Sequence, residues 1–193
     1  MPRRRPVFAA NWKMNLNSRE AHAFLAELLP ALAEPAADLL IFPPAVYLPQ
    51  LVAETRGSVL SVGAQNLFWE RSGAYTGELS AAMIRDVGAG YALCGHSERR
   101  HHFNESSAMV TRKARAAQAE GLIPVVCVGE TLAEREAGET LETLADDIAS
   151  SLAGLAPDPA LIVAYEPVWA IGTGQVARAA DAAGQTRRRG RLA

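Results

Sequence analysis

Short, mostly apolar runs recur along this chain at long, fairly even intervals: Val7-Phe8-Ala9-Ala10, Leu39-Leu40-Ile41-Phe42, Val59-Leu60-Ser61-Val62, Tyr91-Ala92-Leu93-Cys94, Ile123-Pro124-Val125-Val126-Cys127-Val128 and Leu161-Ile162-Val163-Ala164-Tyr165. Because nearly every position in each run is apolar, rather than every second one, they read as strands buried on both faces, as in a parallel sheet. Helical patterns fill the gaps. The clearest begins at Asn17, with Glu20 placed to complete a capping box and Ala21, Phe24, Leu25, Leu28 and Leu32 on one face. A second runs from about Ser106 to Glu120 and ends at Gly121.

Strand alternating with helix implies βα units around a parallel sheet, either doubly wound or closed into a barrel. The strand starts average about 31 residues apart, so eight units would need roughly 250 residues, the usual length of a (β/α)8 barrel. A chain of 193 residues has room for about six. At 49% hydrophobic and 21% charged it can bury one substantial core.

Charge excludes several partner classes. A net charge of −2 gives no reason to expect a nucleic acid or a membrane surface, and leaves room for a small neutral or anionic metabolite. The basic start Arg3-Arg4-Arg5 is not expected to be a signal peptide, since Asn11 and Lys13 interrupt the apolar stretch behind it. No uncharged apolar run approaches the roughly 18 residues of a membrane span. Cys94 and Cys127 lie in strand-like segments without a pairing motif, which fits a reducing cytoplasm. Residues 178–193, rich in Arg, Ala and Gly, have no apolar period and read as a solvated, disordered tail, with a basic nucleic-acid arm as the alternative.

Three strand ends carry reactive side chains. The first run ends in Asn11-Trp12-Lys13, where strand alternation would put Asn11 and Lys13 on one side, either toward a catalytic mouth or at an edge where Lys13 reaches water. The fourth ends in Gly95-His96-Ser97-Glu98, with Ser97 and Glu98 suited to opening a helix whose N-terminus favours a neutral imidazole. A lone His96 can equally be a hydrogen-bonded structural residue. Cys94, His96, His101 and His102 lack metal-ligand spacing, so no metal is expected. The sixth ends in Tyr165-Glu166-Pro167, a general-base candidate, followed by Val168-Trp169-Ala170-Ile171, an apolar run that a lid closing over a ligand would bury. Gly172-Thr173-Gly174 is a poor dinucleotide fingerprint, because six residues separate it from the strand.

Together, Asn11-Trp12-Lys13-Met14-Asn15, Gly95-His96-Ser97-Glu98-Arg99-Arg100 and the segment Tyr165 to Gly174 resemble the triosephosphate isomerase family, as do Gly63-Ala64-Gln65-Asn66 and Cys127-Val128-Gly129-Glu130. The likeness runs through residues 7–177. It implies an incomplete TIM (β/α)8 barrel of about six parallel strands with surrounding helices, occupying residues 1–177. It also implies interconversion of dihydroxyacetone phosphate and glyceraldehyde 3-phosphate through an enediolate, without cofactor or metal. On that resemblance Glu166 is the base, His96 the neutral donor, and Lys13 the positive charge near phosphate and oxyanion. Asn11 adds a hydrogen-bond donor, Ser97 and Glu98 support the site with Glu98 beside Lys13, and Gly172 donates its N–H to phosphate from a lid spanning Pro167 to about Val176. The loop Gly73 to Glu78 resembles an arm that places Thr76 near the site of a second copy, so a cytoplasmic homodimer is expected.

The likeness is expected to stop near Ala177, before the family's seventh and eighth strands. That predicts impaired activity, a chain prone to aggregate or partly molten, and a shifted reading frame behind the change in composition. The alternative is a non-catalytic fragment or assembly partner.

Overall fold

The computed structural model describes residues 6–32, 37–156 and 160–171. In chain order the elements are β1 (Val7–Asn11), α1 (Ser18–Ala31), β2 (Asp38–Phe42), α2 (Leu48–Glu54), β3 (Leu60–Ala64), α3 (Ala81–Asp86), β4 (Tyr91–Cys94), α4 (Ser97–Phe103), α5 (Ser107–Ala119), β5 (Ile123–Val128), α6 (Leu132–Glu136), α7 (Thr140–Ser151) and β6 (Ile162–Tyr165). Each apolar run of the sequence is a strand, the third and sixth starting one residue late, at Leu60 and Ile162, and the second one residue early, at Asp38. Strand order follows chain order, the mark of consecutive βα units rather than of a doubly wound sheet, whose order reverses. The chain divides into two compact units, Met1–Cys94 with Arg115–Pro124, and Gly95–Ala114 with Val125–Ala193.

In the first unit β1 pairs in parallel with β2, β2 with β3, and β3 with β4. The start of β5 joins through the Ile123 N–H, which donates to the Gly90 carbonyl at 2.9 Å. The core is Leu40, Ile41 and Phe42 of β2, Leu48 and Leu51 of α2, Val62 of β3, Ile84 of α3 and Ala92 of β4, all buried. The capping box at α1 forms as its sequence requires: the Asn17 side chain accepts from the Glu20 N–H at 3.0 Å, and Glu20 accepts from the Asn17 N–H at 2.8 Å. Only part of the expected apolar face is covered. Ala21 and Leu25 are buried, whereas Phe24 is exposed and stands edge-on to Trp12. β1 is the least covered strand: Phe8 is 67% exposed and, among the described residues, β1 pairs with β2 alone.

In the second unit β5 and β6 pair in parallel, in the register Val125↔Ile162 to Val128↔Tyr165. Val126, Cys127 and Val128 of β5, Val110 of α5 and Leu144 of α7 are buried. Helix α6 opens with a second capping box, Thr131 with Glu134. The polar residues Glu105, Lys113, Glu130 and Ser151 are buried with them. No helix among the described residues is long and apolar enough to cross a membrane.

Candidate active site

His96 caps the N-terminus of α4, because its ring Nδ1 accepts from the Glu98 N–H at 3.3 Å. A ring nitrogen that accepts carries no proton, so in the neutral imidazole the hydrogen sits on Nε2. That Nε2 lies 3.1 Å from Oε1 of Glu166. The other Glu166 oxygen accepts from the Ser97 N–H at 3.0 Å. Imidazole and carboxylate side chains are only 9% and 16% exposed, which strengthens each of these contacts relative to water. Glu98 contributes its backbone more than its carboxylate, whose Oε2 is 3.5 Å from Nδ1. Beside this pair a cleft of about 190 Å³ is lined by Ser97, Glu98, His101, His102, Val168 and Ile171.

Glu166 reaches this position because β6 ends one residue before it. Its N–H donates to the Val128 carbonyl at 2.8 Å, adding a last rung to the β5–β6 ladder. Gly129 makes the approach possible, since a Cβ there would fall 1.7 Å from the Glu166 carbonyl oxygen. Either side of Glu166 is anchored to one buried atom, Oε1 of Glu130. It accepts from the Tyr165 hydroxyl at 3.0 Å, the Trp169 Nε1–H at 3.1 Å and Arg135 at 3.2 Å. Arg135 also stacks over the Trp169 ring at 4.4 Å. Burial, and then the neighbouring Glu130 carboxylate, push the Tyr165 phenol up to about 12. Trp169, within the apolar run that the sequence assigns to a lid, sits in a 3-10 turn over Val168–Ala170 and is buried against Glu130 and Arg135.

Asn11 and Lys13 belong to the first unit. Strand alternation does not aim Lys13, because β1 ends at Asn11 and Lys13 takes a left-handed backbone at φ 54°. Its N–H donates to the Asn11 Oδ1 at 2.9 Å, and its carbonyl accepts from Gln65 Nε2 at 2.9 Å. Gln65 thereby fixes the turn, a role its place after β3 did not reveal. Thr76 is exposed on a loop of the same unit, closed at its base by Phe68 N–H to the Leu79 carbonyl at 2.8 Å, with Tyr75 against Phe68. Gly172 and the tail 178–193 lie outside the described residues. Among the described residues no cluster of His, Cys, Asp and Glu is arranged to hold a metal.

The triosephosphate isomerase family model matches residues 6–187. A triosephosphate isomerase from Moorella thermoacetica is 51% identical over 181 residues, covering 93% of this chain and 73% of that protein. One from Thermoanaerobacter pseudethanolicus is 43% identical over the same extent. The chain belongs to the triosephosphate isomerase family. Its six parallel strands with intervening helices are therefore βα units of that family's (β/α)8 barrel, and the family match extends past the compositional change at 177.

Two further groups, which no sequence motif singles out, support the His96–Glu166 pair. Glu105 is buried, and it accepts from the Gly95 N–H at 2.9 Å, from Arg99 Nε at 2.7 Å and from Lys113. Burial would raise its carboxyl, but Lys113 and then Arg99 outweigh that and hold it below the ordinary range. Arg100 donates to the Gly95 carbonyl at 2.9 Å. A charged residue between two helical patterns gives no local sign of such a role. Gly129 did offer one, as a glycine directly after an apolar strand invites close backbone approach.

Proposed function

We propose that this chain interconverts dihydroxyacetone phosphate and glyceraldehyde 3-phosphate, with Glu166 moving the proton. The observation that carries the reading is the Glu166 carboxylate held 3.1 Å from a protonated His96 Nε2, in a chain of this family. A substrate carbonyl entering between them would take the Nε2–H for itself and leave a carboxylate oxygen free. Glu166 then removes a proton from the carbon next to the carbonyl, and the electron pair flows to the carbonyl oxygen, where the His96 N–H stabilises the developing charge. Transfer of a proton between the two enediolate oxygens by the imidazole, and return of the carbon-bound proton from Glu166 to the neighbouring carbon, complete an isomerisation with no net oxidation. Lys13 supplies positive charge to phosphate and oxyanion, Asn11 an added hydrogen-bond donor, and Gly172 a backbone N–H to phosphate. Residues 1–177 are the barrel portion in this reading, and two copies pair through the Thr76 arm.

Purified chain given glyceraldehyde 3-phosphate in a coupled assay should turn over. Glu166→Asp, which withdraws the carboxylate by about one bond length, should cut kcat by about 100-fold. A folded sample whose turnover does not exceed that of the variant would instead support a non-catalytic assembly partner.

A further inference from the structure

Gly95, the residue before His96, is buried, and its peptide groups lie beyond the end of β4, where a ladder no longer pairs them. Buried backbone groups need partners. Here both come from side chains: Glu105 Oε1 accepts the Gly95 N–H at 2.9 Å, and Arg100 Nε donates to the Gly95 carbonyl at 2.9 Å. Neither side chain is loose. Glu105 is 3% exposed, and its second oxygen accepts from Arg99 and Lys113. The Arg100 guanidinium also donates to Ser107 Oγ at 3.1 Å, Ser151 Oγ at 3.0 Å and the Cys127 carbonyl at 3.2 Å. The glycine itself is required, with φ 76° and a Cβ position 2.6 Å from Val110.

We infer that Glu105 and Arg100 are positioning residues for His96, holding the peptide units before and after Gly95 and so fixing the direction in which the imidazole Nε2–H points. Neither touches the reacting atoms. Their effect passes through the two peptide units on either side of the Gly95 Cα into the residue that both caps α4 and faces Glu166. Preorganised donors act only when their aim is held within a narrow range, so a slack Gly95 would blur both the tautomer and the Nε2 to Glu166 contact. The catalytic consequence rests on the isomerase reading, but the aim of the ring can be read without turnover.

Two pairs of variants of the full chain isolate the grip. Glu105→Leu with Lys113→Met removes the acceptor for the Gly95 N–H without leaving a buried ammonium unpaired. Glu105→Gln with Lys113→Met keeps an acceptor oxygen there. Arg100→Met removes the donor to the Gly95 carbonyl, and Arg100→Lys retains one. In nitrogen-15 spectra of labelled histidine, the parent and the Gln and Lys variants should show one His96 tautomer with the proton on Nε2. The Leu and Met variants should show exchange between tautomers and, where the chain turns over, kcat lower by about 10-fold with KM changed less than about 3-fold. If one pair does not fold, the other decides. Folded Leu and Met variants with unaltered His96 signals and lower unfolding midpoints would overturn the inference and leave these residues a purely structural role. Altered His96 signals in a chain without turnover would uphold the positioning role while the isomerase reading failed.

Discussion

Strands β1 and β5 are close to equivalent as sequences and opposite in fate. Val7-Phe8-Ala9-Ala10 and Val125-Val126-Cys127-Val128 are both uninterrupted apolar runs that end in a polar or turn-forming segment. Yet residues 125–128 of β5 are all buried, while residues 7–10 of β1 are all exposed. β5 has hydrogen-bonded neighbours on both sides, through Ile123 to Gly90 and through Val125–Val128 to β6. β1 has β2 alone among the described residues. An apolar run therefore specifies a strand that can be buried; how much of it is buried depends on what other segments bring to its faces.

The sharpest way to break this contrast is to put the same charge on both strands. Val126→Asp, at a position 0% exposed, should cost more than about 4 kcal/mol or abolish cooperative unfolding in urea, because an unpaired carboxylate would be forced among apolar neighbours. Phe8→Asp should leave the midpoint nearly unmoved, and equal losses for the two would void the comparison. Next in size, Gly129→Ala just past β5 should destabilise by about 1–3 kcal/mol, since its methyl group would collide with the Glu166 carbonyl. The same variant should disturb the His96 signals by displacing Glu166, and a silent spectrum would show that the backbone approach does not set the pair.

Alkali offers a subtler probe of the β5–β6 side. Tyr165 is raised to about 12 in the folded chain, above an unfolded value near 10. Its contribution to stability is then complete below about pH 10 and declines as pH rises toward 12, so unfolding midpoints should fall across that window. Tyr165→Phe should flatten the decline, with ultraviolet absorbance reporting the phenol directly. The smallest effect belongs to β1: Phe8→Ser should change stability by less than about 0.5 kcal/mol, because a residue 67% exposed has little apolar contact to lose.

Much of the site was legible beforehand for a definable reason. Glu166 follows β6 directly and His96 follows β4 after a single glycine, so the local pattern that reveals β4 and β6 also locates them at strand ends, and motif likeness supplies their expected roles. The supports were not legible. Glu105 sits between α4 and α5, Arg100 lies within α4, and Glu130 follows β5 by two residues. Arg100 and Glu130 stand in segments that resemble the family, but nothing in the local pattern gives any of the three a supporting role, and only the buried groups they pair with do so. Lys13 was placed by assuming that strand alternation continued, and a left-handed turn held by Asn11 and Gln65 ended it two residues sooner.

Sequence by itself determined the six strands, the helix that opens with the capping box at Asn17, the helix that stops before Gly121, and the order of reactive strand ends, because those follow from side-chain period and backbone preference within a few residues. Tertiary structure alone decided that β5 is covered and β1 is not, that one carboxylate oxygen of Glu130 gathers Tyr165, Trp169 and Arg135, and that Gly95 is gripped from both sides. Coverage of a strand and the meeting of Glu130 with Tyr165 and Trp169 depend on segments tens of residues apart, and the grip of Arg100 and Glu105 on Gly95 depends on how the chain turns after β4, neither of which a periodic pattern records.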